Sequence, residues 1–203
     1  MDRQQWDERY SGAEFEWTTQ PNQFVAAELA GLRPGRGLDL AAGEGRNAVW
    51  LAERGWQVTA VDFSRVGLEK ASKLAAARGL AEGQVDWVVA DLAGYQPEPG
   101  AFDLALIAYL HVGAALRATV LARAAAALAP GAPLLLVGHD LANLTYGVGG
   151  PQDPAVLYTP EMIRAELPGL RIVRAERVHR TVPRDGGAAT AIDTLVRAER
   201  ARA

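Results

Sequence analysis

The sequence predicts an α/β protein: a doubly wound, mostly parallel, seven-stranded sheet that ends in an antiparallel hairpin. Three observations predict it. Short apolar, β-rich runs alternate with helical stretches from Leu38 to about Glu161, the pattern of successive strand–helix crossovers. The first three such runs end in or beside an aspartate: Asp39, Asp62 and Asp91. The tail then breaks the alternation. Arg171–His179 and Ala191–Glu199 are strand-like and are joined through Pro183-Arg184-Asp185-Gly186-Gly187, too short for a crossover, so they pair antiparallel.

Before the first core strand, Gln5–Tyr10 reads as a short helix with Trp6 and Tyr10 on one face. Pro21–Ala30 reads as a second, with Pro21 in its first turn and Phe24, Val25 and Leu29 as its apolar stripe. The aromatic connector between them holds Trp17, which either packs this segment onto the core or lies over a ligand. Leu38-Asp39-Leu40 is the first strand, and Gly43-Glu44-Gly45 is a tight turn. Asn47–Arg54 is a helix stopped by Gly55, and Trp56–Asp62 is the second strand. Ser64 caps a helix that runs to Gly79. Val85–Ala90 and Phe102–Ala108 are strands, Ala114–Ala129 is a helix ended by Pro130-Gly131, and Pro133–Gly138 is the fifth strand. Thr159 caps a helix with Pro160 in its first turn. The length of 203 residues suits one domain, with 1–34 as a helical cap segment and 35–203 as the core.

The strand–turn–helix at Leu38–Ala48 is a nucleotide-type site: glycine lets a ligand touch the main chain, and the helix points free N–H groups at the turn. Gly43-Glu44-Gly45-Arg46-Asn47-Ala48 also satisfies the dinucleotide pattern Gly-x-Gly-x-x-Gly/Ala. Asp39, four residues before Gly43, separates the readings. A diphosphate over the turn would meet a negative charge, whereas a cationic ligand would be favoured. S-adenosyl-L-methionine, with a sulfonium, an α-amino group and no phosphate, fits. Asp62 follows Asp39 by 23 residues, near the ~20-residue offset of a ribose-binding acid. The bland alternative is that these acids only cap the helices that follow.

On these residues the chain resembles the class I S-adenosylmethionine-dependent methyltransferases, a Rossmann-like fold, from about Gly37 to about Glu199. Ala41 stands where many members have the first glycine of the motif. Gly45-Arg46-Asn47-Ala48 with Thr59-Ala60-Val61-Asp62 is further similar to the small tellurite-resistance type. The resemblance implies a cofactor site of Asp39, Ala41, Gly43, Gly45, Arg46, Asn47, Asp62, Phe63, Ser64, Asp91, Leu92 and Ala108. In it Asp39 holds the methionine ammonium, Asp62 takes the ribose diol, Phe63 lies against the adenine and Asp91 accepts from its amino group. Asp39, Asp62 and Asp91 are expected to stand together at the carboxyl rim of the sheet, and Trp17 over the pocket.

The expected acceptor side is the loops after strands four and five, with His111, His139, Asp140 and Tyr146 as catalytic candidates and Tyr109 beside them. Leu141–Tyr158 is a long Gly/Pro-bearing stretch of the kind that forms a mobile substrate loop. In the tail, Val178-His179-Arg180-Thr181 resembles a His-Arg segment of the tellurite-type enzymes, which adds His179 and Arg180. The second arginine expected farther along that hairpin is not at the matching place. Displacement at a sulfonium asks the protein mainly for alignment of donor and acceptor, and for a base only where the acceptor arrives protonated.

Other chemistries have little support. The chain has no cysteine, three histidines and no Gly-x-Ser-x-Gly, so no thiolate site, metal site or serine-hydrolase elbow is expected. A net charge of −3 offers no basic face for nucleic acid. The polar N-terminus and the absence of an ~18-residue apolar run argue against a signal peptide or membrane span, so a cytoplasmic protein with a small-molecule substrate is expected. Oligomeric state is not legible. Two alternatives stay open: a non-catalytic S-adenosylmethionine-binding protein, and an NAD-dependent oxidoreductase, which Asp39 and the terminal hairpin oppose.

Overall fold

A computed structural model describes residues 1–184 and 187–202. Seven strands form one sheet in the order β3-β2-β1-β4-β5-β7-β6. The first five are β1 (Arg36–Leu40), β2 (Gln57–Asp62), β3 (Val85–Val89), β4 (Leu104–Ala108) and β5 (Pro133–His139), all paired in parallel. The last two, β6 (Leu170–Arg184) and β7 (Gly187–Arg200), form the antiparallel hairpin, and β7 inserts beside β5. The helices are α1 (Arg3–Tyr10), α2 (Gln23–Leu29), α3 (Arg46–Glu53), α4 (Arg65–Ala77), α5 (Ala114–Ala127), α6 (Asn143–Tyr146) and α7 (Pro160–Ala165).

Strand alternation builds two cores, one on each face of the sheet. Leu38, Leu40, Ile107, Leu134, Leu136 and Val196 pack against α5 and α7. Ala60, Leu104, Leu106, Leu135, Val137 and Leu195 pack against α2 and α3. The predicted double winding is therefore present, with both faces buried as a parallel sheet requires.

Several boundaries differ from the sequence reading, and four of them bear on the site or the sheet. Helix α2 starts from Asn22 rather than Pro21, because the Asn22 side chain accepts from the Phe24 and Val25 N–H groups. Strand β4 begins at Leu104, while Phe102 makes only an isolated bridge to Leu128. Strand β3 ends at Val89, so Asp91 lies beyond it, where its side chain accepts from Ala93 N–H in a tight turn. The hairpin strands are far longer than expected. Pro183, read as turn, pairs with Ala188 as part of the ladder, and a register shift at Ile172/Arg174 accommodates the length. Arg184 and Gly187, also read as turn, pair with each other in the ladder, and the other two predicted turn residues, Asp185 and Gly186, lie outside the described residues.

Candidate active site

The glycine turn follows from backbone demands. Gly43 and Gly45 have φ of 55° and 76°, the left-handed region that glycine enters without strain. A side chain on Gly45 would also sit 2.5 Å from Ala71 Cβ of α4 and 3.0 Å from Trp87, so glycine lets α4 and β3 close on the turn. Ala41 takes the same left-handed conformation, φ 63°, without being glycine, a local strain of about 1–2 kcal/mol.

The three acids do not stand level. Asp39 pairs with Ala60, and Asp62 pairs with Val89, so Asp62 stands two residues above Asp39, a step of roughly 7 Å. The expected row at the rim is therefore a staircase, because strands of different length enter the rim at different heights. Asp39 and Asp62 do share one face of the sheet, the α2/α3 face.

Asp62 is 5% exposed and accepts from Gly43 N–H and Ser64 N–H, both at 2.8 Å. It thus ties the turn to the start of α4, and Ser64 caps that helix by accepting from Gly67 N–H. Asp39 is different. It is 1% exposed, and neither carboxylate oxygen has a hydrogen-bond partner among the described residues. Burial, and then the neighbouring Asp62, push its pKa up from 3.8 to about 7. Arg46 and the Ala48 N–H favour its ionised form, without a bond of acceptable geometry.

The N-terminal segment closes over the turn. Glu44, 4% exposed, accepts from the backbone N–H groups of Glu16 and Trp17 and lies 2.7 Å from Lys70. Asp7 accepts from the Ser64 hydroxyl, and the Tyr10 hydroxyl lies against Gly43. Trp17 itself is 44% exposed, beneath the Arg9 guanidinium. Phe63 and Ala108 are half-buried, and Leu92 is buried in the core beneath α5.

A second polar cluster gathers on the same face, around the ends of β4 and β5. Tyr109, just after β4, has φ 61°, an unusual conformation for an aromatic residue and one that concentrates at functional sites. Its hydroxyl donates to Asp193 at 2.8 Å and accepts from Asn22 Nδ2 at 3.0 Å. Asn22 in turn donates its backbone N–H to Asn47 Oδ1 of α3 at 2.9 Å, which joins this cluster to the cofactor turn. Asp193 of β7 is fully buried and lies directly across from His139 of β5 in the ladder. It accepts from Arg180 Nε at 2.9 Å, and its other oxygen is 3.2 Å from His139 Nδ1, a close contact with a poor hydrogen-bond angle. Burial alone would raise the Asp193 pKa, but His139 and Arg180 hold it below the ordinary value.

The pleat separates residues that are adjacent in sequence. His139 faces Asp193, whereas Asp140 turns to the other face. There Asp140 accepts from Thr194 Oγ1 at 2.6 Å, Arg177 Nε at 2.9 Å and Ala142 N–H at 2.8 Å. Arg180 points into the cluster, but His179 lies exposed on the opposite side. His111 Nδ1 is 3.0 Å from Val156 O, and its Nε2 receives His139 N–H at 3.4 Å. The ring stacks between His139 and Tyr158, and burial pushes its pKa down to about 4, so it stays neutral and supports His139. Tyr146 is 78% exposed. The stretch after β5 is ordered into α6 and a 3-10 turn at Pro154–Val156. Asn143 pins it by accepting Ile192 N–H and donating to Gly149 O, both at 2.8 Å. Gly150 lies so close to His139 that a side chain there would come within 2.6 Å of the imidazole.

Sequence reasoning missed Asp193, Asn22 and Glu44. A signal for Asp193 existed: it is the one charged residue in the otherwise apolar or neutral run Ala191–Val196. Asn22 offers the sequence only the helix cap that it makes with Phe24 and Val25; its bonds into the site reach Asn47 and Tyr109, 25 and 87 residues away, and those of Glu44 reach residues 27 and 28 away.

A sheet of this order, with the glycine turn after β1 and acids on β1 and β2, defines the class I methyltransferase architecture, whose cofactor is S-adenosyl-L-methionine. Residues 38–131, a little under half of the chain, match the family model described as a methyltransferase domain. No protein of curated function matches the sequence. Among solved structures, one described under the conversion of a disulfide bond into a thioacetal group during echinomycin biosynthesis is 22% identical, with 98% of this chain and 93% of that one covered and a TM-score of 0.78. The N-methyltransferase NodS from Bradyrhizobium japonicum WM9, in complex with S-adenosyl-L-homocysteine, is 17% identical over 98% and 97% of the two chains, TM-score 0.73. TehB from Haemophilus influenzae is 14% identical over 91% and 64%, TM-score 0.72. At these identities the likeness establishes the fold.

The residues present suit the cofactor. A buried carboxylate lacking any donor, beside a left-handed glycine turn, calls for a cation bearing N–H groups, which the methionine end of S-adenosylmethionine supplies.

Proposed function

We propose that this protein catalyses methyl transfer from S-adenosylmethionine to a small-molecule acceptor. The observation that carries the reading is the unpartnered, buried Asp39 carboxylate beside the glycine turn. Bound there, the cofactor supplies an activated methyl on a sulfonium, which departs as a neutral thioether on in-line displacement. Asp39 holds the α-ammonium, and the Gly43–Gly45 backbone and Asp62 position the remainder, with Phe63, Asp91 and Leu92 along the adenine side. The acceptor lies toward Tyr109 and His139. Alignment of the two reactants is the protein's main contribution, worth ~7–11 kcal/mol. His139, oriented by Asp193 and backed by His111, is the base for an acceptor that arrives protonated. His179, Asp140 and Tyr146, which do not join the cluster, are given no role in the reaction.

Calorimetry tests the cofactor assignment. S-adenosylhomocysteine should bind with micromolar affinity, on the order of −8 kcal/mol, and NAD should not compete. NAD binding without a response to S-adenosylhomocysteine would reject the proposal. Turnover of a panel of oxygen, nitrogen and sulfur acceptors separates a catalyst from a protein that only binds the cofactor.

A further inference from the structure

Asn22 bonds to both halves of the site. Its side-chain Oδ1 caps α2, accepting from Phe24 N–H at 2.9 Å and Val25 N–H at 3.3 Å. Its backbone N–H donates to Asn47 Oδ1, in the first turn of α3, at 2.9 Å. Its Nδ2 donates to the Tyr109 hydroxyl at 3.0 Å, and its C=O accepts from Ala26 N–H at 2.9 Å. The residue is buried, so these bonds are made away from water. The cap alone does not call for asparagine. Serine, threonine or aspartate would also cap α2, but none of them brings a side-chain N–H. The cap fixes the amide as well: two backbone N–H groups hold Oδ1, which turns Nδ2 toward Tyr109. With its oxygen taken by Nδ2, the Tyr109 hydroxyl sends its one proton to Asp193, at 2.8 Å. Asp193 faces His139 through its other oxygen. The left-handed Tyr109 backbone persists only where its surroundings over-determine it, and Asn22 and Asp193 hold its hydroxyl from two sides.

We propose that Asn22 is a positioning residue that makes the acceptor side answer to the cofactor. Cofactor seated on the glycine turn sets the first turn of α3, and Asn22 carries that setting to Tyr109, Asp193 and His139. The proposal rests on the methyl-transfer reading and adds to it a coupling between the two half-sites. The path is short and unbroken: Asn47 to Asn22, Asn22 to Tyr109, Tyr109 to Asp193, Asp193 to His139. Every member is buried or half-buried, where little water competes for the bonds. Coupling between sites is carried by such contiguous groups when both sites bias their arrangement. Asn22 makes a stiff link because it is anchored on three sides, by α2, by α3 and by the Tyr109 hydroxyl. The consequence for the reaction is order: His139 reaches its working position once the methyl donor is seated. His111 and Arg180 also border this end of the path, His111 stacked on His139 and Arg180 bonded to Asp193.

The test follows the His139 imidazole resonance of the full chain by NMR, without and with saturating S-adenosylhomocysteine. The resonance is identified by its loss in His139→Gln, and the exposed His179 serves as internal reference. In the wild type, S-adenosylhomocysteine should displace the His139 resonance. Asn22→Ser keeps the α2 cap and removes only the amide donor, so at saturation the displacement should fall to less than half. Tyr109→Phe removes the next link and should reduce it as far, and it carries the test if Asn22→Ser does not fold. A displacement of wild-type size in either folded variant would overturn the proposal, since the cofactor would then act on His139 without Asn22. So would a wild type that binds S-adenosylhomocysteine, as read by calorimetry, with no displacement at all. Both of those results leave the methyl-transfer reading standing, whereas failure of S-adenosylhomocysteine to bind strikes that reading itself.

Discussion

Asp39→Asn tests the central feature of the site, because the same burial that suits Asp39 to a cation makes it costly when no cation is there. Its carboxyl pKa is pushed from 3.8 to about 7, by burial first and Asp62 second. A carboxyl whose folded pKa is raised favours the protonated fold. Its stability is fully present below the unfolded pKa near 4 and is lost as pH rises toward 7. Integrating that difference gives a loss of about 2.5 kcal/mol between pH 5 and pH 8, and about 4 kcal/mol in all. At 1% exposure there is no solvent screening to reduce the figure. Asparagine cannot ionise, so urea denaturation at both pH values should give a wild-type-minus-variant difference that changes by about 2.5 kcal/mol, and comparing the two proteins cancels other titrating groups. The variant should be the more stable protein at pH 8. It should also bind S-adenosylhomocysteine about thirtyfold more weakly, the loss of a charge-assisted bond worth about 2 kcal/mol. In the wild type that affinity should rise with pH from 5.5 to 7.5, as Asp39 ionises to meet the ammonium. Equal pH slopes in the two proteins, with unchanged affinity, would refute both the buried charge and its role.

Two further substitutions examine the framework. Ala41→Gly should stabilise the protein by about 1 kcal/mol in urea denaturation, since glycine removes left-handed strain at φ 63° and returns only part of it as unfolded-chain entropy. Asp193→Asn should cost about 3 kcal/mol, the low end for breaking a buried pair because Arg180 can still reach water. The Asp193 pKa is held below its ordinary value, so its contribution is present above pH ~4 and fades as pH falls. The variant should therefore show a shallower acid limb in thermal melts from pH 6 to pH 3.

The cofactor half of the site was legible because it is local. Asp39, Gly43, Gly45, Asp62 and Ser64 lie within 26 residues, and each is dictated by a turn, a cap or a strand end that the neighbouring sequence announces. The acceptor half was legible only in fragments. His139 and Arg180 stood out as residue types, but so did Asp140 and His179, and periodicity could not choose between neighbours until the strand register was known.

The sequence by itself determined the architecture. Apolar runs at strand and helix spacing decide which segments bury, and a link too short for a crossover decides that the last two strands pair antiparallel. Tertiary structure decided which chemistry shares a face. Strand alternation sends His139, Asp193 and Arg180 to one side and Asp140, Thr194 and Arg177 to the other. Which side also holds Asp39, Arg46 and Tyr109 depends on the register of β5, β7 and β6. That register is a long-range property: a slip of one residue would reverse every side chain on a strand while leaving its composition unchanged.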